Sequence, residues 1–225
     1  MNGEAFSETV RGGKVRGMSE YPRPSLTADV VLLRYRNGWL EVLLIERSRD
    51  PFAQSWALPG GFVDAGETPL AGAARELLEE TGVADISLHE VGVFGAPNRD
   101  PRGWVVSTAF IGLAPSDCTA QAGDDAQAAA WHRLAELPTL AFDHAQIIDA
   151  AMASLAKMVQ TDTTPMRLLK APFRTAQARH LYSQILGRKL RPSTFKAWLR
   201  RRGAVVRVGP ARFIAADALR GDWLR

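Results

Sequence analysis

The sequence predicts an α/β protein of 225 residues in two units, of which the second is small, helical and strongly basic. Apolar, β-branched runs and a patterned helix alternate through the first part, and a hydrophobic share of 46% is enough for a packed core. The charge changes sign at Pro165, because residues 166–225 hold 15 Lys or Arg against two Asp, a net +13, and the remainder carries −9. We therefore expect a tail over residues 1–21, a first unit over 22–160, a linker over 161–165 and a basic unit over 166–225.

The composition excludes several classes of protein. A single cysteine, Cys118, cannot form an internal disulfide, and no group of Cys and His has the spacing of a zinc site. Residues 1–24 lack the apolar stretch of a signal peptide, and no run of 18 apolar residues occurs. The sequence thus predicts a cytoplasmic protein that does not span a membrane.

The first unit begins with two apolar runs joined by the strongest short-range hairpin signal. Residues 28–36 and 39–47 flank the dipeptide Asn37-Gly38, which favours a two-residue turn. Residues 104–113 are β-branched and aromatic, as expected of a further strand, and residues 131–134 predict a short strand or a turn.

Capping residues predict two helices in this unit. Thr68 is a good N-cap, Pro69 suits the first turn and Gly82 favours termination, so residues 69–81 should be helical. The core-facing side of this helix is expected to carry Leu70, Ala74 and Leu77. Asp143 should cap a second helix with an apolar side at Ile147, Ile148, Ala151, Met152, Leu155 and Met158.

The first helix places three carboxylates on one side. Glu76 and Glu80 are one turn apart and Glu79 lies beside them, so their charges repel. A hard divalent cation such as Mg²⁺ or Mn²⁺ would remove this repulsion and recruit phosphate groups. Arg75 could orient the cluster, and Gly60-Gly61 would let the backbone approach closely enough to offer a carbonyl ligand. A solvated amphipathic helix would show the same glutamates, so this cluster alone leaves both interpretations open.

A longer motif surrounds these glutamates. It runs from Gly61 through five residues to Glu67, then through seven to Arg75-Glu76-Leu77, and ends in Glu79-Glu80 and Gly82-Val83. This spacing resembles the Nudix box at every fixed position. The resemblance implies an α/β/α sandwich around a mixed sheet, a loop–helix–loop that binds magnesium, and cleavage of a nucleoside diphosphate linked to another group.

The resemblance also implies roles for individual residues. Glu76 and Glu80 correspond to direct metal ligands, Glu79 to a direct or water-mediated ligand, and Gly60 to a carbonyl ligand. Glu67 would brace the loop.

The catalytic set implied by the resemblance includes Arg75 and a base for the attacking water. Such a base is often a carboxylate downstream of the box, and Asp124 and Asp125 are the candidates, with Asp125 preferred. A surface turn would have the same sequence.

Residues 94–104, FGAPNRDPRGW, resemble the loop of ADP-ribose-type members and of Nudix domains tied to NAD metabolism. Arg99 and Arg102, with Asp100 between them, are candidate ligand-binding residues, because guanidinium groups fork onto phosphate or ribose oxygens. An ordinary turn with solvated arginines is the alternative. His144 is expected to be a hydrogen-bonding group at a helix start.

The basic unit is patterned as a helical pair followed by a hairpin. Thr175 is expected to cap a helix that ends at Gly187, with Ala178, Leu181, Tyr182 and Ile185 inward. Ser193 should begin a second helix that ends at Gly203, with Phe195, Trp198 and Leu199 inward. Residues 205–208 and 212–214 then predict two short strands.

This pattern resembles a winged helix-turn-helix, whose second helix enters the major groove of DNA. The candidate DNA-binding residues are Thr194, Lys196, Arg200 and Arg201 of the second helix and Arg207 and Arg212 of the wing. A helical cap that only helps the protein dimerise is the alternative, although it would leave the positive charge unneutralised.

Together, residues 22–215 resemble the Nudix-related transcriptional regulators of NAD metabolism, including the segment ILGRKLRPSTFKAWL at 185–199. The resemblance implies a homodimeric repressor of NAD-metabolism genes that binds palindromic double-stranded DNA and responds to ADP-ribose or a related nucleotide. Many such regulators have a damaged box, but this one is intact, so hydrolysis stays open. The alternatives are an ADP-ribose or nucleotide-sugar pyrophosphatase whose last unit serves assembly, and a hydrolase of RNA ends.

Overall fold

The structure is a computed structural model, and it describes residues 22–123 and 126–215. Its strands are β1 (Ser25–Arg36), β2 (Trp39–Arg47), β3 (Trp56–Ala57), β4 (Gly60–Phe62), β5 (Leu88–Phe94), β6 (Val105–Leu113), β7 (Ala126–Arg133), β8 (Val205–Gly209) and β9 (Arg212–Ala215). Its α-helices are α1 (Pro69–Thr81), α2 (His144–Thr161), α3 (Thr175–Ile185) and α4 (Pro192–Arg202), and shorter 3-10 helices cover Leu134–Glu136 and Thr164–Leu168.

Seven strands form one mixed sheet between two helices. The order is β3-β2-β1-β6-β5, with β4 paired to β1 and β7 to β2, and the β1–β6 pair is parallel. Because side chains alternate along a strand, β1 packs on both sides. One face packs against α1, at Ala28, Val30, Leu32, Ala73 and Leu77. The other packs against α2, at Val31, Leu33, Ile147, Ile148 and Ala151. The predicted α/β/α sandwich is confirmed.

The predicted hairpin between β1 and β2 forms with the expected turn. Asn37 and Gly38 have φ of 52° and 87°, the positive values that a two-residue turn of this type requires. The last strand is longer than predicted, because β7 pairs with β2 from Glu41 opposite Arg133 to Arg47 opposite Ala126. Its alanines have low strand propensity, so the pairing partner decides its structure.

Helix α1 has the predicted ends but a different buried side. Thr68 Oγ1 accepts a hydrogen bond from the Ala71 N–H at 3.2 Å, and Gly82 ends the helix at φ 67°. The expectation that Leu70 and Ala74 face the core is wrong, since Leu70 is 47% exposed and Ala74 is exposed. The sheet instead meets the side formed by Gly72, Ala73, Leu77 and Thr81.

Helix α2 starts after Asp143 as predicted, but Asp143 does not cap it. Its carboxylate makes no capping bond and instead accepts two hydrogen bonds from Arg99. Of the predicted apolar side, Met152 and Met158 are half-buried and the other members are buried.

The described part of the second unit has the order helix, turn, helix and two-stranded hairpin, as a winged helix-turn-helix requires. Its core contains the inward residues predicted for both helices, with Trp198 half-buried. The predicted first residues are wrong by one position. Arg174 is the N-cap of α3, where its N–H donates to Gln177 Oε1, and Pro192 at the first position of α4 precedes Ser193.

The predicted linker is packed. The 3-10 helix Thr164–Leu168 follows α2 directly, and Pro165, Met166 and Leu168 are buried. Met166 and Leu168 belong to a core that continues from the sheet to α3 and α4. The division of the chain at residues 161–165 therefore stays a prediction. The tail at 1–21 lies outside the described residues, and in the described part no helix is long and apolar enough to cross a bilayer.

Candidate functional site

The site is built on a turn in which two consecutive glycines are required. Gly60 has φ 153°, and a Cβ there would lie 2.3 Å from the carbonyl oxygen of Ala28. A Cβ on Gly61 would lie 2.4 Å from Oε1 of Glu76. The absence of both side chains therefore lets β4 lie against β1 and against the acidic side of α1.

Arg75 connects the box glutamates to one another. Its guanidinium binds Glu67 at 2.7 Å, Glu76 at 2.8 Å and Glu79 at 3.1 Å, and it donates to the carbonyl of Phe62 at 3.0 Å. These bonds, first those to Glu67 and then those to Glu76, raise the pKa of Arg75. The Arg75 bonds in turn lower the pKa of Glu67, which also accepts from the Asp64 N–H at 2.7 Å. The loop before α1 is thereby tied to the helix.

Glu80 lies on the other side of the same turn. Its Oε2 accepts a hydrogen bond from the Gly60 N–H at 2.9 Å. Burial raises the pKa of Glu80 to about 8, against the effect of the Gly60 bond and together with the negative charges of Glu76 and Asp29. Burial also raises the pKa of Glu76. The bond from Arg75 lowers the pKa of Glu76 but does not outweigh burial, so the ionised form of both carboxylates is disfavoured.

The residues at this turn fit a hard divalent cation by their chemistry. Carboxylate and carbonyl oxygens are the preferred ligands of such an ion. In the described residues no three His, Cys, Asp or Glu side chains converge as a ready metal cage. The reason is that Glu76 and Glu79 bind Arg75 while Glu80 binds the backbone of Gly60. Glu76 and Glu80 are half-buried carboxylates one helical turn apart, and this placement favours a cation here, because its charge would stabilise both ionised forms against the burial that raises their pKa values.

A small polar pocket adjoins the turn. It is lined by Thr27, Asp29, Arg47, Leu58, Gly60, Gly61, Phe62, Arg99, Asp100, Arg102, Phe142 and His144. Asp29 accepts a hydrogen bond from Ser107 at 2.5 Å, and the buried hydroxyl of Thr27 has no hydrogen-bond partner among the residues that the structure describes. Both side chains line the pocket.

The two arginines of the 94–104 loop have different surroundings. Arg99 is 4% exposed and binds both oxygens of Asp143, at 2.6 and 2.9 Å. Burial opposes its charge most strongly, but the bonds and charge of Asp143 together with the charges of Asp29 and Asp100 raise the pKa of Arg99 overall. Arg102 is 38% exposed, forms a two-pronged pair with Asp100, and lies over the rings of Phe62 and Phe142 at 4.9 and 5.5 Å. The alternative of a turn with solvated arginines is therefore wrong for Arg99, and Arg102 is the arginine that faces solvent.

Sequence reasoning missed several residues of this pocket. Asp29 and Thr27 lie within an apolar strand, where a polar residue every second position was the available signal. Arg47 and Phe142, which stack at 4.9 Å, carried no local signal. His144 behaves as predicted, because its Nδ1 accepts from the Leu58 N–H at 2.8 Å and burial lowers its pKa. Asp124 and Asp125, the candidate bases, lie outside the described residues.

The second unit presents a basic surface. All six candidate DNA-binding residues are exposed, namely Thr194, Lys196, Arg200, Arg201, Arg207 and Arg212. The inner side of α4 is held by rings, since Tyr182 of α3 meets Phe195 and Trp198 at 5.4 Å each. The exposed side of α4 is thus free of the core packing that positions the helix.

The fold and these two surfaces define an α/β/α protein with an acidic turn-and-helix site, joined to a winged helix-turn-helix. The NUDIX domain model matches residues 23–151, and the chain belongs to the NUDIX family.

Among curated relatives, the chain is similar to the "ADPR responsive transcriptional repressor NtrR" of Acinetobacter baylyi. The two are 34% identical over 191 residues, which are 83% of this chain and 76% of the relative. It is also 42% identical over 128 residues to an ADP-ribose pyrophosphatase of Methanocaldococcus jannaschii, covering 57% of this chain and 73% of the relative.

Solved structures show the same likeness. A MutT/nudix family protein of Enterococcus faecalis superposes with a TM-score of 0.77 at 32% identity, over 87% of each chain. Shewanella oneidensis NrtR complexed with a 27mer DNA superposes with a TM-score of 0.69 at 28% identity, over 84% of this chain and 92% of that one. The NUDIX domain of the same NrtR complexed with ADP ribose gives a TM-score of 0.57 at 35% identity, over 61% and 92%. The resemblance to Nudix-related regulators is confirmed.

Proposed function

We propose that the protein is a DNA-binding transcriptional repressor whose NUDIX unit senses ADP-ribose. The observation that carries this proposal is that one chain joins the NUDIX site to an exposed basic α4 and wing, and that its likeness to an ADPR-responsive repressor extends over 83% of its length. The sequence resemblance extends the proposal to NAD-metabolism genes as targets. A repressor of this kind acts on DNA in the cytoplasm.

The proposed DNA contacts are of two kinds, those of α4 in the major groove and those of the wing to the sugar–phosphate backbone. Helix α4 would enter the major groove, where Thr194, Lys196, Arg200 and Arg201 reach base edges or phosphates. The wing residues Arg207 and Arg212 would hold the sugar–phosphate backbone. A homodimer would pair two such helices on palindromic half-sites about one helical turn apart.

The ligand contacts follow from the charge of ADP-ribose. Arg47 and Arg102 are positive walls of the pocket and can bind the diphosphate, and the rings of Phe62 and Phe142 hold the guanidinium of Arg102 in place beside them. Arg99, which also lines the pocket, binds Asp143 and so fixes the position of the loop that carries it.

The carboxylates of Glu76 and Glu80 would repel a diphosphate, and a cation would reverse this repulsion. We assign Mg²⁺ or Mn²⁺ to the turn, held by Glu76, Glu80 and the Gly60 carbonyl, with Glu79 as a direct or water-mediated ligand. When bound, this ion would neutralise phosphate charge.

Two binding measurements on the full chain test the proposal. Fluorescence anisotropy should show binding to a duplex from the region upstream of the protein's own gene, with log affinity falling steeply as log salt rises. Calorimetry should show ADP-ribose binding in Mg²⁺. A flat salt profile, or equal affinity for a scrambled duplex, argues against a sequence-specific repressor.

Hydrolysis of ADP-ribose is the second candidate function. It is favoured by a complete set of box glutamates and by 42% identity to an ADP-ribose pyrophosphatase. In that reaction Arg75 and Glu67 would hold the carboxylates in place, and Asp125 remains the candidate base. Release of AMP and ribose 5-phosphate in Mg²⁺, lost in Glu80→Gln, would establish it. An absence of product over hours with intact ADP-ribose binding would leave the site a sensor alone.

A further inference from the structure

The β1–β2 hairpin runs from the ligand pocket to the winged helix-turn-helix. Thr27 and Asp29 of β1 and Arg47 of β2 line the pocket at one end. The turn at Asn37-Gly38 lies at the other end, and the strand between Asp29 and Gly38 spans about 30 Å at ~3.4 Å per residue. One continuous element of the sheet therefore joins both regions.

The outer end of this hairpin extends beyond the strand on its other side. Pairing of β1 with β6 ends at Leu33 opposite Leu113, and within the described residues the next three positions of β1 pair with β2 alone. We call residues 35–40 the hairpin tip. Contacts with the elements that pack against the tip therefore help to hold it in place.

Gln184 of α3 binds the backbone of the hairpin tip with both ends of its amide. Its Oε1 accepts from the Leu40 N–H at 2.9 Å, and its Nε2 donates to the Gly38 carbonyl at 2.7 Å. His180, one turn earlier on α3, lies with its Nδ1 2.9 Å from the hydroxyl of Tyr35 and 3.1 Å from Gln184 Nε2. A side-chain amide that matches one donor and one acceptor fixes the relative position of helix and turn.

The same helix positions the DNA-reading helix. Tyr182, two residues before Gln184, contacts Phe195 and Trp198 on the inner side of α4. A shift of α3 against the hairpin tip is therefore passed to α4 by close-packed rings, because packed interiors transmit displacement.

We propose that Gln184 is a positioning residue that couples the ligand pocket to the DNA-binding helices by fixing the hairpin tip to α3. This inference rests on the proposed function. A ligand at Thr27, Asp29 and Arg47 that prefers one placement of the hairpin changes the population of α3 placements through this contact, and DNA affinity follows.

The test is the ratio of DNA dissociation constants with and without saturating ADP-ribose, measured by anisotropy on the full chain. Gln184→Met keeps the length of the side chain and removes both backbone bonds. We expect the ratio to fall about fivefold relative to wild type, because a fivefold change corresponds to the net free energy of roughly one hydrogen bond. The matched control Gln146→Met alters an exposed glutamine of α2 and should keep the wild-type ratio.

The outcomes separate the inference from the proposed function. A wild-type ratio of one contradicts the proposed function and removes the coupling that Gln184 would serve. If the wild-type ratio is well above one and Gln184→Met keeps it within twofold, the inference is overturned and the proposed function stands. This holds even if the variant changes the DNA affinity both with and without ADP-ribose, because a residue with a merely structural role leaves their ratio intact. Tyr35→Phe keeps the buried ring and removes only the hydroxyl at His180, so it should lower the ratio about twofold and serves if Gln184→Met does not fold.

Discussion

Glu80 should make the stability of the protein fall with rising pH when no divalent cation is present. Burial raises the pKa of this carboxyl from 4.5 to about 8, so the folded state holds a proton that the unfolded chain has lost. Stability from this group is complete below pH 4.5 and is lost as pH rises through about 8. A difference of that size corresponds to about 5 kcal/mol over the whole window, an upper limit because relaxation and water entry reduce it.

Glu80→Gln removes this titration with little change of shape, since the amide oxygen can still accept from the Gly60 N–H. Denaturant unfolding in EDTA should show that the free energy of unfolding of the wild type falls from pH 5 to pH 8.5 by at least about 2 kcal/mol more than that of the variant. Glu79→Gln is the matched control on the same helix, because its carboxylate is 58% exposed. Excess Mg²⁺ should flatten the wild-type profile. Parallel pH profiles for wild type and Glu80→Gln would refute the reasoning.

Three further substitutions test other parts of the account. Arg99→Ala should lower the free energy of unfolding by about 3–5 kcal/mol, because it leaves Asp143 buried and unpaired, and a loss below about 1 kcal/mol in denaturant unfolding would contradict that role. Arg102→Ala should weaken ADP-ribose binding about tenfold in calorimetry, and it should also lower the free energy of unfolding, because the buried carboxylate of Asp100 loses its guanidinium partner. Unchanged ADP-ribose affinity of the folded variant would remove Arg102 from the ligand site. Lys196→Ala should weaken binding to all duplexes alike and reduce the slope of log affinity against log salt by about 1, whereas a loss confined to one sequence would mean a base contact.

The sequence predicted those elements whose signals are local. The hairpin at Asn37-Gly38 and the ends of α1 depend on backbone conformation that only a few residue types favour, so they could be predicted without tertiary contacts. The strand β7 and the buried side of α1 could not, because the sheet they pack against decides both.

For the site too, residues with a local signal could be predicted and residues brought together by the fold could not. Glu76, Glu79 and Glu80 are consecutive or one helical turn apart, so their position on one side of α1 follows from helix geometry. Gly60 lies 20 positions before Glu80, and its place in the site was expected only from the resemblance to the Nudix box. The partner of Arg99 was not predictable, since Asp143 lies 44 positions away and had a plausible local use as an N-cap. The contacts of Gln184 with the hairpin tip span more than 140 positions and have no sequence signature.

Occupancy of the NUDIX site should change the affinity of the same chain for DNA. The most direct measurement is the dissociation constant of the full chain for its upstream duplex, at fixed salt and Mg²⁺, with and without saturating ADP-ribose. We expect ADP-ribose to weaken DNA binding roughly five- to 150-fold, and AMP with ribose 5-phosphate to have no effect. Equal DNA affinity under both conditions, with ADP-ribose bound by calorimetry, would contradict it.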